Sequence, residues 1–140
     1  MAPNAICQNV TIQLDASGNA SVTADQVDNG STDACGIYTL ALSKTAFTCA
    51  DIATNPNPVV LTVTDNNGNS STCNATITVQ DVVVPLITCP ANVTVNQHQA
   101  RDPYSTGYPV VSDNCSGAIT VSYDDDRSML NLCNATGYIT

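Results

Sequence analysis

Apolar and polar residues alternate with a period of two along most of the chain. Val10, Ile12 and Leu14 fall on one side of an extended backbone; Ala20, Val22 and Ala24 repeat the pattern, as do Tyr38, Leu40 and Leu42, then Leu61 and Val63, then Ala75, Ile77 and Val79. Successive side chains of a strand point to opposite faces, so each run predicts a short strand with one face toward a core. Val93 and Val95, then Ile119, Val121 and Tyr123, take the pattern up again. Turn-forming residues stand between the runs. In TDNNGNSSTC, Thr64 to Cys73, the chain is expected to reverse over Asn66 to Ser70, with Gly68 and its Asn neighbours supplying the positive φ such a turn needs. Five or more short strands joined by turns predict an all-β protein built as a β-sandwich.

Composition sharpens this reading. All twelve acidic residues are Asp, a turn and cap former, and none is Glu; Lys and Arg together number three. The formal charge of −9 disfavours nucleic acid and anionic membrane surfaces, and no basic cluster overrides it. No segment is apolar for long enough to span a membrane, and MAPNAICQNV has neither the basic region nor the apolar run of a signal peptide. Seven cysteines without a C-x-x-C pair point to a disulfide framework in an oxidising compartment, hence to an extracellular or cell-surface protein.

The chain also resembles itself. PNAICQNVTIQL from Pro3 lines up with PLITCPANVTVN from Pro85, STDACG around Cys35 with VSDNCSG around Cys115, and AFTCADIAT around Cys49 with NLCNATGYIT around Cys133. Residues 1–81 are expected to form a complete module and residues 82–140 a partial second copy lacking its last strands. The counterpart of Cys73 would fall beyond Thr140, which accounts for the odd cysteine count. The open edge of such a copy is expected to accept a strand from a partner chain.

The opening P-x-x-x-C followed by N-V-T, the D-x-C-G of Asp33 to Gly36, the V-T-D-N-N-G-N-S-S-T-C of Val63 to Cys73 and the T-I-T-V-Q-D of Thr76 to Asp81 together resemble the HYR (hyalin repeat) modules and related immunoglobulin-like repeats of large bacterial surface proteins. That resemblance implies an immunoglobulin-like sandwich in tandem array, linked to adhesion and without catalytic activity. It also implies bonds from Cys7 to Cys73, from Cys35 to Cys49 and from Cys115 to Cys133, leaving Cys89 unpaired or bonded between molecules.

Candidate chemistry is sparse. His98 is the only histidine and lies in a polar loop, and Asp124, Asp125 and Asp126 read as a solvated edge rather than paired catalytic carboxylates. No cofactor is required on this reading. Calcium is the one metal the oxygen-rich loops suit, with Asp25, Asp28, Asp33, Asp65 and Asp81 as candidate ligands. An EF-hand starting at Asp65 fails, because Ser70 stands where its Gly is needed and Thr76 where its Glu is needed. Tyr104 and Tyr108 are the ring candidates for a glycan contact, against the plainer expectation that they pack their loop down. The expected function is a non-enzymatic, disulfide-stapled spacer whose partners are neighbouring repeats or other copies of the chain. The alternative is a glycan-binding adhesin module or an accessory domain of a secreted enzyme.

Overall fold

In the computed structural model, residues 1–94, 107–115 and 120–122 are described. Val95, His98, Tyr104, Ile119, Tyr123, Asp124 to Asp126 and Cys133 lie outside the described residues. Among the described residues the fold is all-β apart from one turn of α-helix and one of 3-10 helix. The chain divides into two compact units: Met1–Val84 with Asp113–Cys115, and Pro85–Ser112 with Ser116–Thr140.

The first unit is built on β1 (Val10–Gln13), β2 (Asn19–Ser21), β3 (Ile37–Leu42), β4 (Ala46–Thr48), β5 (Asn57–Asp65) and β6 (Ser70–Gln80). One sheet has the order β1-β6-β5-β3, and β2 and β4 form a second, two-stranded sheet. The long β5–β6 hairpin is its centre. Antiparallel pairing runs from Asn57 opposite Ile77 to Thr64 opposite Ser70, while β1 lies parallel to β6 with Val10 opposite Ile77. Alternation on the hairpin buries Val59, Leu61 and Val63 with Ala75, Ile77 and Val79. Ile12 and Leu14 join them, and Phe47 of β4 with Val22 and Val27 completes one buried cluster. Each large apolar side chain so buried contributes about 1.5–3 kcal/mol.

Two expected strand assignments change in this unit. Ala24 does not continue a strand from Val22 but opens the helix α1, Ala24–Val27. The sequence Thr23-Ala-Asp-Gln26 is a capping box, and the Thr23 amide donates to Gln26 Oε1 at 2.9 Å. Val27, at the end of that turn, is thereby driven fully into the core. On β3, the pairing steps from Ile37 opposite Asp65 to Thr39 opposite Thr64, so Tyr38 is an extra, unpaired residue. This bulge turns Tyr38 outward, 73% exposed, while Ile37, Leu40 and Leu42 pack against the core.

In the second unit β7 (Leu86–Thr88) pairs antiparallel with β8 (Val110–Ser112), Leu86 facing Ser112 and Thr88 facing Val110. Of the two further runs of alternation, the described residues Val93 and Val121 lie in irregular, exposed backbone, and the remaining positions lie outside the described residues. Alternation makes a strand only where a neighbour completes the ladder, and none of the described residues does so for them.

Candidate functional site: the disulfide socket at Cys49

Cys49 opens the 3-10 helix Cys49–Ile52, and a set of polar side chains fixes where it sits. The Thr48 amide donates to Asp51 Oδ2 at 2.8 Å, and Lys44 pairs with the same carboxylate. The hydrogen bond from Lys44, followed by that from Thr48, holds the Asp51 carboxyl below the usual carboxylate range. From the other side, buried Asn57 donates its amide to the Asp51 carbonyl at 2.9 Å and accepts from Thr54 Oγ1 at 2.7 Å. Asn55 makes a two-way bond to the Val79 backbone, 2.7 Å from Nδ2 to the carbonyl and 2.8 Å from the amide to Oδ1. The cysteine is thus locked to the end of the β5–β6 hairpin where β5 begins.

Against Cys49 lies the turn Asp15–Asn19. The Asp15 carboxylate accepts from the Ser17 and Asn19 amides at 2.8 and 3.0 Å, and Gly18 has φ +74°. Cys115 enters here and bonds Cys49, with Cα atoms 5.4 Å apart. Its neighbour Asn114 donates Nδ2 to the Asp15 carbonyl at 3.0 Å and to Asp81 Oδ1 at 3.1 Å. The tripeptide Asp113–Cys115 is therefore seated by a disulfide and two hydrogen bonds in a recess of the first unit, and Cys115 is part of its core.

The other end of the hairpin carries the same turn. In Asp65–Asn69 the Asp65 carboxylate accepts from the Asn67 and Asn69 amides, both at 2.8 Å, and from Asn69 Nδ2 at 2.8 Å; Gly68 has φ +84°. D-A-S-G-N and D-N-N-G-N are two uses of one device: an Asp-capped turn closed by a left-handed glycine. The Asn69 side-chain bond, with the two amides against the opposing effect of burial, lowers the Asp65 carboxyl from its ordinary value. The reversal expected over Asn66 to Ser70 is present, with β6 beginning at Ser70 itself.

Cys7 and Cys73 are bonded, with Cα atoms 5.9 Å apart, as the hyalin-type pairing implies. Cys35 and Cys49 are not. Cys35 stands beside the Asp65 turn, where Asn66 Nδ2 donates to its carbonyl at 2.6 Å, whereas Cys49 is held to the Asn57 end. The length of β5 separates them, about 25 Å at 3.3 Å per residue, far beyond the reach of a disulfide. Cys115 bonds Cys49 and so does not take Cys133. Cys35 and Cys89 are exposed free thiols.

The carboxylates nominated for calcium are spread over the first unit. Asp25 lies in the first turn of α1; Asp28 accepts from the Gly30 and Ser31 amides, Asp33 from the Cys35 amide, and Asp81 from Val83 and Asn114. Among the described residues no three such groups converge. Tyr108 is 65% exposed rather than packed down. No helix among the described residues is long and apolar enough to cross a membrane. Sequence reasoning missed Gly18, Asn55, Asn57 and Asn114; only Gly18 carried a signal, through its D-x-x-G-N context. Comparison with known protein families, curated proteins and solved structures finds no match.

Proposed function

We propose that the chain is a stretch of hyalin-type, immunoglobulin-like sandwich repeats whose role is structural: a non-enzymatic, disulfide-stapled spacer of an extracellular surface protein or fibre. One observation carries the reading. Asn4 bridges Thr32 antiparallel in the first copy, and Leu86 faces Ser112 antiparallel in the second. Each pair joins the residue after the leading proline to the residue before D-x-C, so two stretches matched by sequence also match in strand pairing. The two disulfides suit an oxidising compartment.

Antibody against the chain should label intact source cells or their shed fibres, and brief surface proteolysis should remove the label. Labelling that appears only after permeabilisation would overturn the extracellular role. The exposure of Tyr108 keeps a glycan contact as the second reading. Retention on a glycan array that Tyr108→Ala abolishes, with the melting curve unchanged, would favour it.

A further inference from the structure

Cys35 and Cys115 occupy equivalent backbone positions. Each follows by three residues a position paired antiparallel with the residue after the module's leading proline, Thr32 with Asn4 and Ser112 with Leu86. Their fates differ: Cys115 is bonded to Cys49 and 8% exposed, Cys35 is free and exposed. The backbone of Cys35 is nonetheless pinned. Its amide donates to Asp33 Oδ1 at 2.7 Å, its carbonyl accepts from Asn66, and Gly36 follows at φ +88°. A fixed main chain with an outward thiol is a preformed half of a bond.

The observed Cys49–Cys115 bond does not close one copy. It joins Cys49 of one copy to the D-x-C cysteine of the copy that follows. Taken one step toward the N-terminus, the same rule gives Cys35 its partner. We infer that Cys35 is an intermodule linkage site, bonding the counterpart of Cys49 in a preceding copy of this module. This rests on the repeat reading. Two protein thiols react with one low-molecular-weight disulfide oxidant. The thiolate of one cysteine displaces the oxidant's first thiol to give a mixed disulfide; the second cysteine then displaces the other, yielding the protein disulfide, two oxidant thiols and no net change in atoms or electrons. Successive modules are then covalently joined at each D-x-C, in addition to the peptide linker and to the staple within each module.

The test lengthens the full chain by placing residues 1–84 ahead of Pro3, reproducing the Val84–Pro85 junction. The added copy carries Cys35→Ser and, as a mass mark, Ala46→Ser at an exposed position. After refolding in glutathione disulfide, non-reducing peptic digestion should yield the marked Cys49 peptide joined to the original Cys35. Iodoacetamide labelling of Cys35 should fall from one per molecule in the unaltered chain to near none. Free or glutathione-capped Cys35, with Cys7–Cys73 formed in both copies, would overturn the inference alone. Absence of the Cys7–Cys73 bond from the added copy would overturn the repeat reading as well.

Discussion

Gly18 lies so close to Cys49 that a β-carbon on the glycine would sit 2.7 Å from the cysteine sulfur and 2.9 Å from the Asn114 carbonyl oxygen. Gly68 occupies the matching place in the Asp65 turn with nothing within 4 Å. Both have positive φ, which costs an L-residue about 1–2 kcal/mol. Gly68→Ala should lose that amount and no more, whereas Gly18→Ala should lose more and slow formation of the Cys49–Cys115 bond. Denaturant unfolding of the two variants, paired with non-reducing mass spectrometry, makes the comparison.

Each disulfide spans 66 residues, a loop whose closure removes about 4 kcal/mol of unfolded-state freedom. Cys115→Ser should lower stability by an amount of that order and expose the Cys49 thiol to alkylation, while Cys35→Ser should leave the melting temperature unchanged. Equal losses for the two variants would contradict the pairing.

The bulge at Tyr38 separates two rings that composition alone would treat alike. Phe47→Ala removes a side chain only 1% exposed and should cost about 3–5 kcal/mol; Tyr38→Ala removes one that is mostly solvated and should fall within about 0.5 kcal/mol of the parent. Chemical denaturation of both variants is sufficient.

Acid should unfold the first unit through its turn carboxylates. In the folded protein the bonds from Lys44 and Thr48 hold the Asp51 carboxyl, and the Asn69 side-chain bond the Asp65 carboxyl, below the ordinary carboxylate value. A depressed folded pKa stabilises the native state above the unfolded pKa and loses that contribution as pH falls through the folded one. Stability should therefore be level above about pH 5 and decline below about pH 4. Asp65→Asn should lower the plateau and flatten the decline, which a series of urea melts from pH 2 to pH 7 would record.

The hairpin was legible because β5 and β6 pair with each other across a short turn and their alternation is unbroken, and D-N-N-G-N is a strong local turn signal. Thr23-Ala-Asp-Gln26 was equally readable as a helix start, but the apolar spacing of Val22 and Ala24 outweighed it. Tyr38 could not be placed, since a one-residue bulge leaves no mark in the alternation. The site was harder still. Asn57 and Asn114 are two among many asparagines, and their roles depend on contacts with Asp51, Asp15 and Asp81 that folding alone creates. The Cys35–Cys49 bond that the hyalin resemblance implies does not form, because the two thiols stand at opposite ends of β5, a placement that only the folded sheet defines.

The two disulfides are interleaved, since Cys49 lies inside the loop closed by Cys7–Cys73 and Cys115 lies outside it. When the chain is pulled from its ends, three stretches of backbone connect the same pair of cross-links: Cys7 to Cys49, Cys49 to Cys73, and Cys73 to Cys115. The shortest, of 24 residues, becomes taut first and shields the two of 42, so an unfolded first unit can lengthen by no more than about 80 Å between the cross-links. Cutting either sulfur bridge lets out slack without parting the line; only losing both releases the whole length. The arrangement is that of a rope with a built-in arrestor, which yields under load by a fixed step and then holds.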